Sequence, residues 1–468
     1  MAEAVKTGFL DRTLAQIRNA WKDIAGRGKF VPRPDLPDDD IDRLREAMAE
    51  CLEGRGGEVS ARARAADLGH VYLTLDATGR SRFLSLMADD FATDGALIDA
   101  AIAAVSDADS AAARMRAEGA LSQALVSPRK KLLMQFNGLP EGIKFLVDLR
   151  GDLLQIRHTD PALKGLDADL KDLLRSWFDI GFLKLDRITW DAPATLLEKL
   201  MAYEAVHEIQ SWDDLKNRLD SDRRCFAFFH PHMPNEPLIF VEVPLVSGMA
   251  DNIQALLDEQ APSIDPDVAD TAIFYSISNA QFGLSGISFG GFLIKRVVDS
   301  LAGEVKNLKN FATLSPVPGF RTWLDGLLGR DDETVLTAAE AKILCKHAFT
   351  ESGIAALRSL LKVAWHEDET TAALLKRPLC RLCAHYLLVE KRGDGPLDSV
   401  ARFHLRNGAG IERINWLADT SRRGLAESAG MMVNYSYRLD MIEANHEAFT
   451  GEGRIAASKA VHAMEQAK

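Results

Sequence analysis

A change of texture near residue 187 constrains this chain more than any other feature. Up to about Asp186 the apolar residues recur at helical spacing. Ile41, Leu44, Met48, Cys51 and Leu52 make one such stripe, with Asp39 or Asp40 as a candidate N-cap and Gly54 as a stop. Leu163, Leu166, Leu170, Leu173 and Trp177 make another, punctuated by Gly181. Pro32, Pro34 and Pro37, interleaved with acids, read as a connector ahead of the first stripe. Nothing in this part groups reactive side chains, so its plainest use is packing or assembly.

Past Ile188 the pattern changes. Short β-rich runs at 226–229, 238–246, 272–277 and 432–437 are bounded by turn residues, and helical segments at 292–301 and 379–390 lie between them. Strands that alternate with helices point to a sheet carrying helices. The expected fold is therefore α+β, with an all-α helical domain over 1–186 and a mixed α/β catalytic domain over 187–468.

Charge narrows the partners. The 56 basic residues are outnumbered by 68 acidic ones, for a net charge of −12. That balance opposes nucleic-acid binding, which needs a basic face, but it permits a local basic patch that holds a small polyanion. Five scattered cysteines fit a reducing compartment better than a disulfide framework. Glu3, Lys6 and Asp11 near the start leave no apolar signal core, and the final Glu465, Gln466, Ala467 and Lys468 are no peroxisomal address. No stretch of about 18 apolar residues crosses a membrane. A cytoplasmic protein without a membrane partner is the expectation.

The most informative stretch runs over 274–298. An apolar strand leads into a loop with Gly283, Gly286, Gly290 and Gly291, and an amphipathic helix follows. Glycines let backbone N–H groups approach a ligand, and a helix start favours an anion, so a pyrophosphate suits the loop. Lys295 and Arg296 lie one turn further on. The bland alternative is a glycine-rich turn that binds nothing. Gly286-Ile-Ser288-Phe-Gly290 also spells the nucleophile elbow of serine hydrolases, with Asp394 and Asp398 preceding His404 in chain order. An elbow seats its serine on the strand-to-helix corner, however, and here the strand ends near Ser278, well before Ser288.

Other candidates are less specific alone. Ser315 precedes a proline that forces extended geometry, and could be an ordinary Ser-Pro turn. His404, flanked by Phe403 and Leu405, reads equally as a hydrogen-bonded structural histidine. His230, His232 and Glu236 have metal-binding chemistry but sit among prolines without a matching second pair, so no metal site is expected. Cys380 and Cys383 share an apolar helix stripe with Leu379, Leu382, Tyr386 and Leu387, which makes them packing residues.

Taken in order, several blocks resemble the malonyl-CoA decarboxylase family. They are Arg223-Arg-Cys-Phe226, Phe274-Tyr-Ser-Ile-Ser278, Gly290 with Phe292-Leu-Ile-Lys-Arg-Val-Val298, and Leu314-Ser-Pro-Val-Pro-Gly-Phe320. Phe403-His-Leu405, Asn407-Gly-Ala409, Arg413-Ile-Asn-Trp416, Ala418-Asp419 and Asn434-Tyr435 with Tyr437 continue the series. The resemblance implies a helical domain that assembles the chain into a dimer or tetramer, ahead of a catalytic domain of the GNAT acetyltransferase type. Malonyl-CoA and acetyl-CoA are the implied substrate and product, with no cofactor. The implied coenzyme A loop falls on Ser285, Gly286, Ile287, Ser288, Phe289, Gly290 and Gly291, with Lys295 and Arg296 following. Ser288 stands where some relatives of this family carry a glutamate, so a role for that acid does not carry over.

The family's serine and histidine fall on Ser315 and His404, and its late tyrosine on Tyr437. The resemblance thus has Ser315 holding the malonyl carboxylate and His404, with an ordinary pKa of about 6.5, protonating the carbanion. Tyr437 would orient the histidine. A coenzyme A-dependent acyltransferase is the alternative on the same loop, followed by a thioester-cleaving serine hydrolase at Ser288 and by a non-catalytic scaffold.

Overall fold

The computed structural model describes residues 17–22, 24, 30–53, 57–158, 160–287 and 293–466. Among the described residues, a helical segment at 17–22 is followed by eight helices in the first part: α1 (Asp38–Glu53), α2 (Gly57–Thr74), α3 (Ala77–Asp90), α4 (Gly95–Ser106), α5 (Ala111–Ala124), α6 (Pro128–Asn137), α7 (Gly142–Ile156) and α8 (Pro161–Trp177). Their starts are chemically marked. Asp76, Asp94, Ser110, Ser127 and Asp160 each accept an N–H of the first turn, and Pro128 and Pro161 occupy first helical positions where no N–H is needed. The start of α1 differs from the sequence expectation. Asp39 and Asp40 lie inside the first turn, and Asp40 is buried because its carboxylate accepts Arg33 N–H at 2.9 Å. Gly54 lies outside the described residues.

The second part is a nine-stranded sheet, largely antiparallel. Its strands are β1 (Lys184–Ile188), β2 (Arg223–His230), β3 (Met233–Val246), β4 (Thr271–Phe274), β5 (Ser276–Asn279), β6 (Asn310–Thr313) and β7 (Ser315–Pro316), then, past a separate two-stranded ribbon of β8 (Lys391–Arg392) and β9 (Gly395–Pro396), β10 (Gly410–Asn415) and β11 (Met432–Ser436). Three later helices matter to the site: α9 (Leu293–Glu304), α10 (Glu369–Leu388) and α11 (Ser399–Arg406). The sheet begins at Lys184, slightly ahead of residue 187, since all of β1 pairs with β2.

The spatial order is β1-β2-β3-β4-β6-β11-β10, with β5 continuing on β3 and β7 on β11. Among the described strands only β4 and β6 pair in parallel, in register from Thr271↔Asn310 to Phe274↔Thr313, and α9 makes the crossover between them. One apolar core runs through both parts. It joins Phe145, Leu166 and Leu170 of the helices to Phe228 of the sheet, Leu284 and Ile287 of the loop, and Val297 of α9. The helical layer is thus packed on the sheet and on the glycine loop.

Candidate active site

The parallel pair does not stay together. The Leu314 N–H donates to the Phe274 carbonyl at 3.1 Å, and beyond that bond the strands part. On one side β5 pairs with β3, from Glu242↔Ser276 to Ile239↔Asn279. On the other β7 pairs with β11, placing Ser315 opposite Val433. The expected single run at 272–277 is therefore two strands broken at Tyr275. Leu314 makes the matching break between β6 and β7. Asn434 holds that break, donating from Nδ2 to the Thr313 carbonyl at 2.7 Å and to the Ala250 carbonyl at 3.0 Å.

A cavity of ≈ 230 Å³ occupies the opening. Ile277 and Asn279 line one arm and Ser315 and Pro316 the other, with Phe274 and Tyr275 at the apex. Ser399, Val400, Phe403 and His404 of α11 and Val206, from a loop between β1 and β2, close it over. The loop carrying Val206 is tied down from below. Buried Glu204 accepts the N–H groups of Val206 and His207, each at 2.8 Å, and the hydroxyls of Ser276 and Ser278 on β5.

Ser315 and His404 meet at the cavity wall with Tyr437 behind the histidine, each at least nine-tenths buried. Ser315 Oγ lies 3.0 Å from His404 Nε2, and His404 Nδ1 lies 2.8 Å from the Tyr437 hydroxyl. Three distant segments supply them. Ser315 stands at the end of the parted strand, His404 on the inner face of α11, and Tyr437 just after β11, anchored by its N–H to the Phe311 carbonyl at 2.7 Å. Both imidazole nitrogens are engaged within this chain. Neither Asp394 nor Asp398 bonds the histidine, so the hydrolase triad ordering finds no counterpart here.

The environment keeps the group uncharged. Burial alone pushes His404 down to about 3, so the ordinary imidazole value assumed from sequence does not hold, and it pushes the Tyr437 phenol up. Tyr435 stacks on His404 with ring centroids 4.5 Å apart and an interplanar angle of 24°. Sequence reasoning left Tyr435 without a role. Its position two residues before Tyr437, near the end of β11, was the available signal, since alternate residues of an extended segment share a face.

Asp398 is another residue that sequence reasoning cast otherwise. Its carboxylate caps α11 by accepting the Ala401 N–H at 2.8 Å, and it also accepts the Tyr386 hydroxyl at 3.5 Å. Gly319, just downstream of Ser315, lies against the same pair: a Cβ there would be 2.3 Å from the Tyr386 hydroxyl.

The glycine loop lies beyond β5. Arg150 of α7 donates to the carbonyls of Gly283 at 2.6 Å and Ser285 at 2.9 Å. Gly286 turns with a φ of 73°, and Ile287 is buried. Ser288, Phe289, Gly290 and Gly291 lie outside the described residues. Lys295 pairs with Glu443 at 2.6 Å on the surface. Arg296 is engaged away from the loop, donating to the Leu183 carbonyl at 2.9 Å and lying over the Phe228 ring. His230 accepts the His232 N–H and faces the Trp177 carbonyl, while Cys380 and Cys383 are buried on α10 with thiols pushed up by burial.

Comparison with known proteins decides the family. The family model described as the malonyl-CoA decarboxylase C-terminal domain matches residues 181–468, and that of the N-terminal domain matches residues 91–178. The chain belongs to the malonyl-CoA decarboxylase family. The mitochondrial malonyl-CoA decarboxylase of Anser anser anser is 39% identical over 422 residues, covering 86% of this chain and 83% of that protein. Its counterpart from Rattus norvegicus is 38% identical over 404 residues, covering 82% of each. The crystal structure of malonyl-CoA decarboxylase from Rhodopseudomonas palustris superposes with a TM-score of 0.82 at 43% identity, covering 90% of this chain and 98% of that one. That from Agrobacterium vitis gives 0.80 at 40% identity, covering 90% and 99%. As a member of this family the chain is a carboxy-lyase. No described helix is long and apolar enough to cross a membrane.

Proposed function

We propose that this chain converts malonyl-CoA to acetyl-CoA and carbon dioxide at the cavity between β5 and β7. The observation that carries this reading is the uncharged Ser315–His404–Tyr437 chain, whose serine and histidine line a mainly apolar cavity. Breaking the bond between Cα and the carboxylate leaves its electron pair on Cα, delocalised onto the thioester oxygen as an enolate. Carbon dioxide departs neutral. Val206, Phe274, Ile277, Val400 and Phe403 solvate the starting carboxylate poorly and the departing molecule well, which favours the cleavage.

One proton must then reach Cα. A malonyl carboxylate beside His404 is the charge that favours imidazolium, opposing the burial that keeps it neutral in the free protein. His404 takes up a proton with the substrate and delivers it to Cα after carbon dioxide leaves. Ser315 holds the carboxylate out of the thioester plane, and its hydroxyl then faces the enolate oxygen. Tyr437 fixes the imidazole through Nδ1.

The parted parallel strands, followed by a glycine loop and a crossover helix, support an acetyltransferase-type cradle. In it the pantetheine arm enters between β5 and β7, and the loop from Ser285 to Gly291 meets the pyrophosphate. Lys295 lies in the first turn of α9 and pairs with Glu443 on the surface. Self-assembly is supported by the α4–α5 hairpin, whose two helices bury none of their own residues and expose Leu97, Ile102 and Met115. A second copy of the chain is the proposed occupant. Five free cysteines support a reducing compartment, read here as the cytoplasm.

The test is to incubate metal-stripped protein with malonyl-CoA and to follow acetyl-CoA and carbon dioxide. Equal release of both is the expected result. Free coenzyme A with malonate would mean thioester hydrolysis instead, and coenzyme A binding without turnover would favour an acyltransferase awaiting its acceptor.

A further inference from the structure

The segment that carries Val206 is pinned at each residue from Ala205 to Glu208. The Ala205 N–H donates to Ser278 Oγ at 3.3 Å, and those of Val206 and His207 to the Glu204 carboxylate, which also accepts the Ser276 and Ser278 hydroxyls of β5. Two arginines hold the carbonyls. Arg423 donates to those of Ala205 at 2.7 Å and Val206 at 3.4 Å, and Arg218 to those of His207 at 2.8 Å and Glu208 at 3.3 Å.

These anchors belong to both arms of the opening. Arg218 is buried, pairs with Asp214 at 2.7 Å and with Glu242 of β3 at 3.1 Å, and β3 is the partner of β5. Arg423 stands on the short helix Arg422–Ser428, whose Ser428 hydroxyl accepts the Val317 N–H just past β7 at 3.1 Å. The segment is therefore a strap tied to the β5 arm on one side and to the β7 arm on the other. Loops ordinarily yield to a ligand, and burying charged groups such as Glu204, Arg218 and Glu242 is costly. A strap held in this way widens only by breaking several of these bonds together.

Phe274, Ile277, Val400 and Phe403 meet the cavity from strands or from α11, whereas Val206 is the side chain that the strap contributes. In a cavity of ≈ 230 Å³, a malonyl group held against Ser315 and His404 leaves little room for a substituent on Cα. We propose that Val206 is a specificity-determining residue that excludes thioesters bearing an alkyl group on the malonyl Cα, with Glu204, Arg218 and Arg423 as the positioning residues that keep it in place. This rests on reading the cavity as the site of decarboxylation. A fixed wall turns one extra methyl into a clash, where a yielding wall would admit it.

The experiment measures kcat/KM for malonyl-CoA and methylmalonyl-CoA, following acetyl-CoA and propionyl-CoA, in wild type, Val206→Ala, Val206→Ile, Arg423→Ala and Arg423→Lys. The readout is the ratio of the two values, so an effect common to both substrates cancels. Wild type should prefer malonyl-CoA by about 10-fold or more, the usual worth of one carbon in a fitted pocket. Val206→Ala should remove most of that preference, and Val206→Ile should increase it. The Arg423 side chain is 60% exposed, so Arg423→Ala should leave thermal unfolding unchanged. It should nevertheless reduce the preference, and lysine, which can still donate to a carbonyl, should restore part of it. A ratio unmoved by both Val206 variants, or a wild type that takes the two substrates alike, overturns the proposal. A ratio that follows Val206 but ignores Arg423 overturns the positioning role of that arginine. Failure of the underlying reading looks different: wild type would then release no acetyl-CoA from malonyl-CoA at all.

Discussion

At the residue scale, burial makes His404 a reporter of its own role. Its pKa falls from 6.5 to about 3 on folding, so between those values the unfolded chain binds a proton that the folded chain refuses. Stability contributed by this site is therefore lost as pH falls through that window, by at most about 1.4 kcal/mol per pH unit. Urea unfolding should show wild type losing about 2 kcal/mol more than His404→Asn between pH 7 and pH 5. Equal losses would mean that the imidazole is not buried neutral. Turnover probes the same contacts. Ser315→Ala and His404→Asn should each lower kcat by about 10²–10⁴-fold, the usual range for losing a positioned proton donor or acceptor. Tyr437→Phe keeps the ring packed on Phe274 and removes only the hydroxyl at Nδ1, so a smaller fall in kcat with unchanged KM is expected. Ser315, His404 and Tyr437 were legible as members of ordered sequence blocks. The lowered pKa of His404 was not, because its burial comes from Tyr435 and other groups brought in from distant segments.

Two breaks and one cap govern the site at the scale of elements. The run at 272–277 alternates as one strand would, and nothing local marks Tyr275 as the point where it changes partner. The break depends on which strands lie alongside: β3 follows β5, while β11 follows β7. Sequence reasoning could place the strands here but not their parting. Edge strands β1 and β10 were missed for a related reason, since their half-exposed residues lack a clear apolar run. Helix α11 was more readable in principle, because Asp398 stands where an N-cap belongs. Asp398→Ala removes the cap and leaves buried N–H groups unanswered. It should cost about 1 kcal/mol of stability and, through displacement of His404, lower kcat by about 10-fold or more. Asparagine caps about as well as aspartate, so Asp398→Asn should retain most activity. Equal damage from both would assign the effect to the carboxylate charge rather than to the cap. Thermal unfolding and steady-state kinetics on the two variants separate these outcomes.

For the whole molecule, the helical layer carries two loads that its own sequence hides. Periodicity found two of its helices, α1 and α8, because stripes such as Leu163, Leu166 and Leu170 face a continuous core. Contacts like that between Arg150 and Gly283 span too much chain for any local pattern to reveal. The α4–α5 hairpin escaped for the opposite reason: alanine and other small residues surround both helices, so no face stands out as buried. In the folded chain the two helices pack on each other and leave Leu97 61% and Met115 71% exposed. Exposed apolar side chains clustered on one projecting hairpin mark an interaction surface more often than a solvated one. Assembly through it makes a specific prediction for Leu97→Glu combined with Met115→Glu. Both positions are solvent-facing within one chain, so the fold should lose no more than about 0.5 kcal/mol per site, and far-UV circular dichroism should match wild type. Buried against a second copy, the same carboxylates would be desolvated without partners and would drive the assembly apart. Light scattering should then register a fall in particle mass at unchanged helicity. An unchanged mass would move the assembly surface elsewhere, whereas a fall in helicity would mean that the hairpin is packed within its own chain.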